Sequence, residues 1–164
     1  MEGVILGIES TAHTFSFGRV STSGELFPSF SSLYRPEEGG IHPREAADHH
    51  SETTSNLLER LSSSDDFSWD SIVAVAFSQG PGLGPCLRVG ASVARTLSTR
   101  LSVPLLGVNH CVAHIEVGRN QSGCKDPVLL YVSGGNTQVI ALSLIHIRRC
   151  RRIERCISRW SPYH

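Results

Sequence analysis

The chain predicts an α/β domain built on a mixed β-sheet. Two features carry this: three short strand-like runs come first with only turns between them, and alternating helix-length and strand-like segments follow. Strands joined by tight turns pair antiparallel and strands joined across a helix pair parallel, so a chain that does one and then the other mixes both in one sheet.

Residues 3–9 form a continuous apolar run ending in Glu9, which predicts a buried strand. Ser10-Thr11-Ala12-His13-Thr14 is a polar turn. Residues 15–20 and 25–33 alternate around Ser23-Gly24, the signal of a hairpin. Pro36, Gly39, Gly40 and Pro43 mark residues 34–43 as a loop. A helix is predicted from Pro43 to about Ser62, with proline in its first turn and Glu45 and Asp48 near the positive end of its dipole. A Ser/Asp-rich linker covers 62–71. Ile72-Val73-Ala74-Val75-Ala76-Phe77 reads as a central strand buried on both faces. The glycine-rich loop Gly80-Pro81-Gly82-Leu83-Gly84 leads into a helix over 86–101, then a strand over Leu105–Val108. Asn109 can cap a helix from about His110 to Gly118. Strands over 128–132 and 137–142 turn at Ser133-Gly134-Gly135-Asn136.

The chain has 164 residues, enough for one ordinary domain, and 40% hydrophobic residues, enough to bury a core. No run approaches the ~18 to 20 apolar residues of a membrane helix, so no membrane association is expected. The start lacks the features of a secretory or transit peptide, which points to the cytoplasm or nucleus. The five cysteines, Cys86, Cys111, Cys124, Cys150 and Cys156, include no Cys-x-x-Cys pair, so free thiols are expected rather than a zinc ribbon or disulfide framework. The net charge of zero is unevenly spread. Residues 1–143 carry fourteen acids and nine bases, whereas 144–164 carry six arginines and one acid.

His110 and His114 stand four apart on a predicted helix. At ~100° per residue both fall on one face, where two imidazoles can reach one metal ion; an ordinary histidine pair has the same spacing. The pair is not a zincin motif, because Cys111 occupies the position of the general-base Glu. Two ligands are too few for a catalytic site, and Tyr131 is a candidate third. Ser133-Gly134-Gly135-Asn136 lets a substrate approach the backbone closely, or is an ordinary turn. Gly80–Gly84 lacks the Gly-Lys-Ser/Thr ending of a phosphate loop and serves equally as a tight strand-to-helix connection. Residues 6–14 and 130–137 echo each other as strand, small polar turn, strand. Two such turns could offer backbone N–H groups to phosphates. Glu9 and His13 are acid–base candidates, His42 and Glu45 sit near a loop, and His49-His50 read as a solvated surface pair pointing apart.

Five segments together resemble one family: residues 6–14, Gly40-Ile41-His42-Pro43-Arg44-Glu45-Ala46-Ala47, Gly80–Gly84, Val108-Asn109-His110-Cys111-Val112-Ala113-His114, and Tyr131–Thr137. The chain resembles the archaeal and eukaryotic tRNA threonylcarbamoyladenosine synthase, the catalytic subunit of the KEOPS complex, formerly named O-sialoglycoprotein endopeptidase. The resemblance implies an actin-like, ribonuclease-H-like ATPase fold: a first lobe over 1–125 and the first hairpin of a second lobe over 126–143. It implies transfer of threonylcarbamoyl from its adenylate to the adenosine beside the anticodon.

By the same resemblance His110, His114 and Tyr131 are metal ligands. Tyr131, Val132, Ser133, Gly134, Gly135 and Asn136, with Thr11 and His13, bind ATP or the threonylcarbamoyl-adenylate. The implied cofactor is one divalent metal ion, and histidine and tyrosine donors suit iron or zinc better than magnesium. The implied partners are tRNA and the KEOPS subunits, among them the small dimerising subunit and the atypical kinase subunit. The family chain is about twice as long, and its final metal-binding Asp lies beyond this sequence. Residues 144–164 do not continue the family pattern and resemble foreign or out-of-frame sequence; an arginine-rich arm on tRNA phosphates is the alternative. This chain is therefore expected to hold an incomplete site and to be inactive alone. A non-catalytic module docking KEOPS partners through helices 43–62 and 86–101, and a metallopeptidase, are the other readings.

Overall fold

The computed structural model describes residues 3–36, 38–125, 127–133, 136–141 and 146–151; for residues 129, 131, 133, 136–138, 140, 141 and 146–151 the description is of the backbone. The chain divides into two compact units, residues 1–110 and 111–164.

The first unit is a five-stranded sheet. Its strands are β1 (Val4–Glu9), β2 (Thr14–Ser21), β3 (Leu26–Leu33), β4 (Ile72–Gly80) and β5 (Leu105–Asn109), in the order β3-β2-β1-β4-β5. β1, β2 and β3 pair antiparallel, as their short connections require, and Gly24 supplies the positive φ at the β2–β3 turn. β4 runs parallel to β1 and β5 parallel to β4, because each arrives after a helix. The mixed α/β sheet is therefore as expected.

Helices α1 (Pro43–Ser62) and α2 (Gly84–Leu101) complete this unit. Alternate residues of β1 and β2 (Leu6, Ile8, Phe15, Phe17) meet Leu57 and Leu61 of α1 and Ala94 of α2 in a core that also holds Val75. Each large apolar side chain so buried contributes roughly 1.5–3 kcal/mol. α2 begins two residues earlier than expected because Pro85 is accommodated in its first turn.

β4 is buried on both faces at its middle, where the adjacent Ala74 and Val75 point to opposite sides and are both covered, while Val73 near its start is 44% exposed. One expectation is corrected. His49-His50 is not a solvated pair. His50 is fully buried, its ring is stacked on Phe15 at 5.4 Å, and its Nε2–H donates to the Ala12 carbonyl at 2.9 Å. The two imidazoles do not diverge either, since their Nδ1 atoms lie 3.4 Å apart, and Ser32 Oγ is 3.1 Å from His49 Nε2. A tertiary acceptor at Ala12 and an aromatic neighbour at Phe15 outweigh the polarity of the imidazole.

The second unit contains α3 beyond its first residue and a meander. α3 spans His110–Ser122, one turn longer than expected: Gly118 is carried within it, and Gly123, with φ +67°, ends it by donating its N–H to the Arg119 carbonyl. β6 (Val128–Ser133), β7 (Asn136–Ala141) and β8 (His146–Arg151) form an antiparallel sheet in that order. The β6–β7 hairpin is the expected one, with Ser133 paired to Asn136. β8 was not anticipated; its residues pair with β7 from Asn136↔Arg151 to Ala141↔His146.

Candidate functional site

The parallel arrangement of β1, β4 and β5 brings their carboxyl ends to one edge, the position where open α/β sheets present functional groups. β1 ends in Glu9, β4 reaches Ser78 near its end, and β5 passes through Asn109 directly into His110. The registers Ile8↔Phe77 and Ser78↔Val108 place these ends side by side.

The carboxylate of Glu9 gathers them. Its Oε1 accepts the N–H of Thr11 at 2.6 Å and the hydroxyl of Thr11 at 2.5 Å. Its Oε2 accepts a short hydrogen bond from the Ser78 hydroxyl, and His110 Nδ1 lies 3.1 Å away. Burial pushes the Glu9 carboxyl pKa up, but the hydrogen bonds from His110, Ser78 and Thr11 outweigh it and hold it at about 2, against an ordinary 4.5. Glu9 is thus an anion at neutral pH and only accepts. Where its neighbour is a neutral imidazole, the proton between them belongs to Nδ1 of His110.

The turn after β1 and the loop after β4 are built against each other. The N–H of Leu83 donates to the Thr11 carbonyl at 2.6 Å, and a Cβ on Gly82 would lie 2.5 Å from that same oxygen. Gly82 is needed because the Thr11 backbone passes there. The Gly80–Gly84 segment therefore acts as the close strand-to-helix connection that seats the turn.

Among the anticipated residues, the structure joins Glu9, Thr11 and His110. Thr11 is buried with its N–H and hydroxyl both on Glu9, while His13 on the same turn is exposed. His114 is exposed on α3, four residues after His110. Tyr131, Val132 and Ser133 close β6 and Asn136 opens β7; Val132 is exposed, and Gly134 and Gly135 lie outside the described residues. His42 is the exposed cap residue of α1, and Glu45 accepts a short hydrogen bond from the Tyr34 hydroxyl. Among the described residues, no three His, Cys, Asp or Glu side chains gather as a metal centre drawn from those types alone would. Sequence reasoning missed Ser78. Only the β1–β4 register could have flagged it, because nothing in its local sequence separates it from other serines.

The sequence profile of TsaD, tRNA N6-adenosine threonylcarbamoyltransferase, matches residues 29–154. The chain belongs to the tRNA N6-adenosine threonylcarbamoyltransferase family. A family member so named from Archaeoglobus fulgidus is 56% identical over 138 residues, covering 84% of this chain and 42% of that one. One from Methanopyrus kandleri is 53% identical over 145 residues, covering 85% and 42%. The chain thus spans about two fifths of the length of these threonylcarbamoyltransferase relatives. Among solved structures, YeaZ from Pseudomonas aeruginosa superposes with a TM-score of 0.55 at 15% identity, over 85% of this chain and 59% of that one. At that identity the likeness concerns the fold, which is the actin-like, ribonuclease-H-like α/β architecture.

Proposed function

We propose that this chain is the front portion of an enzyme that transfers threonylcarbamoyl from its adenylate to the N6 of a tRNA adenosine, and that it is inactive on its own. The observation that carries the reading is the Glu9 hub. Residues from three of the family-like segments, or directly beside them, converge on one ionised carboxylate at the carboxyl edge of the sheet. Such a cluster orders an imidazole and a tight turn without help from a ligand.

In this reading His110, His114 and Tyr131 hold one divalent cation, iron or zinc rather than magnesium. The donor chemistry fits: His110 leans on a carboxylate through Nδ1, the support that metal-ligating histidines commonly have. When bound, the cation acts as a Lewis acid on the acyl-adenylate. The Tyr131–Asn136 hairpin, with Thr11 and His13, lies against ATP or the adenylate. tRNA and the KEOPS subunits are the partners, in the cytoplasm or nucleus. The test is reconstitution with partner subunits, ATP, threonine, bicarbonate and tRNA. The 164-residue chain should yield no threonylcarbamoyladenosine, while a version extended with the remaining length of a relative should yield it. Product from the short chain refutes the inactivity, and none from the extended chain refutes the transferase reading.

A second reading has its own observation. α1 and α2 leave an open groove of about 370 Å³ lined by Ser51, Thr54, Arg88, Val89, Ser92 and Val93. A partner helix such as one from the small dimerising KEOPS subunit would fit this mixed apolar and hydroxyl surface, making the chain a docking module. Retention of that subunit on the immobilised chain, lost on Val89→Asp, supports the docking module, and no retention dismisses it.

A further inference from the structure

We propose that Ser32, His49 and His50 form a second site, a hydrogen-bonded relay that makes the Ser32 hydroxyl a nucleophile toward small activated carboxylic esters. The site lies wholly in the first unit, on β3 and α1, and is independent of the reaction proposed above.

The direction of the relay is set at its far end. The Ala12 carbonyl can only accept, so the hydrogen of that 2.9 Å contact belongs to His50 Nε2. His50 is fully buried, and burial pushes its pKa below the ordinary 6.5, so the ring is neutral at neutral pH and its Nδ1 carries a lone pair. His49 Nδ1 lies 3.4 Å from that atom and is therefore the donor. A neutral His49 then has its own lone pair on Nε2, 3.1 Å from Ser32 Oγ, and the serine hydroxyl donates to it. Reversing any link would charge a buried ring or ask a carbonyl to donate. A hydroxyl on a base, with the base oriented by a third group, is the arrangement that activates a nucleophile. His50 is a rigid orienting group, because its ring is stacked on Phe15 at 5.4 Å.

Ser32 and His49 are partly exposed, so an ester can reach the reacting end while the orienting end stays dry. β3 is an edge strand of the five-stranded sheet. The Tyr34 N–H donates to the His13 carbonyl, and the Phe15↔Ser32 pair stands two residues along. By the alternation of an antiparallel ladder, Ser32 directs its backbone groups to β2 and Leu33 turns its N–H to the outer edge. The N–H of the residue after a nucleophile serves as an oxyanion donor in ester hydrolases. In the reaction, Ser32 Oγ bonds to the carbonyl carbon while its proton passes to His49 Nε2. The bond from that carbon to the leaving oxygen breaks, and the same proton goes to the leaving oxygen, giving an acyl-serine and an alcohol. Water, deprotonated by His49, then releases the acid and restores the serine.

The experiment treats the full 164-residue chain with a fluorophosphonate, read by peptide mass spectrometry, and with p-nitrophenyl acetate, read by release of p-nitrophenol. Ser32 should be labelled ahead of the other serines, and ester turnover should vanish in Ser32→Ala. His49→Gln should slow both by about 100-fold, the lower end for a positioned general base. His50 touches no substrate and acts as a positioning residue. His50→Gln should slow labelling of Ser32, and long-range 1H–15N spectra should show His49 losing its single Nδ1–H tautomer. A simple structural tie between β3 and α1 would move neither reading. Ser32 reacting no faster than the other serines overturns the proposal. So does an Nε2–H pattern for His49 in the unaltered chain, or equally fast labelling in His49→Gln. Should a variant fail to fold, the labelling and the tautomers of the unaltered chain still decide.

Discussion

A Cβ placed on Gly90 would stand 2.8 Å from the Cβ of Ser10, and nearer still to its hydroxyl. α2 and the turn after β1 therefore touch at a point where neither has room to give. In an exposed helix interior, Gly→Ala gains about 1 kcal/mol from helix propensity. Here overpacking opposes it at roughly 1–3 kcal/mol, and rotation about χ1 cannot relieve a clash with a Cβ. Gly90→Ala should thus be destabilised by up to about 2 kcal/mol, the difference of those two effects. Ser10 Oγ is buried with no hydrogen-bond partner among the described residues, so removing it sacrifices no bond there. The double variant Ser10→Gly/Gly90→Ala should therefore recover much of the loss. Urea midpoints of the four members of the cycle measure this, and a Gly90→Ala chain as stable as the parent contradicts it.

Arg19 and Asp66 make an asymmetric pair. The Arg19 side chain is 2% exposed and that of Asp66 46%, with the guanidinium on both carboxylate oxygens at 3.2 Å. The guanidinium also lies 5.2 Å from the ring centre of Phe27 and 5.6 Å from that of Phe67. Removing the Asp66 carboxylate leaves a buried cation with only the Asp66 and Pro28 carbonyls as acceptors among the described residues, whereas removing Arg19 leaves a carboxylate that water can reach. Methionine at position 19 would also keep the apolar packing. Asp66→Ala should therefore lower the denaturation midpoint more than Arg19→Met. The reverse order would mean that packing, not charge, dominates this corner of the fold.

The fold was largely legible in the sequence because periodicity and turn chemistry are local. Ser23-Gly24 marks the hairpin, Pro43 the start of α1, and the 72–77 run a strand. The site was only half legible. His110 stands out by its spacing to His114, but its link to Glu9 spans 101 residues and its link to Ser78 runs through that same Glu9 oxygen. His50 was misjudged for the same reason: the Ala12 carbonyl that accepts from it lies 38 residues away. β8 escaped notice because its arginine-rich sequence offers little strand propensity, whereas pairing with the free edge of β7 gives its backbone groups partners.

His50 makes stability depend on pH in a defined direction. Its Nε2–H is committed to Ala12 and its ring is fully enclosed. Burial pushes its pKa below the ordinary 6.5; the Ala12 hydrogen bond and the Glu9 charge act in the opposite sense, while His49 and His13 reinforce the lowering. The unfolded chain therefore takes up this proton first as pH falls. The contribution is whole above about 6.5, declines below it, and levels off once the pH is under the folded-state value. His50→Gln keeps an N–H able to reach the Ala12 carbonyl but has nothing to titrate. Between about pH 7.5 and pH 5.5, the parent should lose more stability than His50→Gln, as read from denaturant midpoints. Equal losses in the two chains would assign the pH dependence to the other histidines. A parent that grows more stable on acidification, while His50→Gln does not, would show that His50 is charged in the folded state.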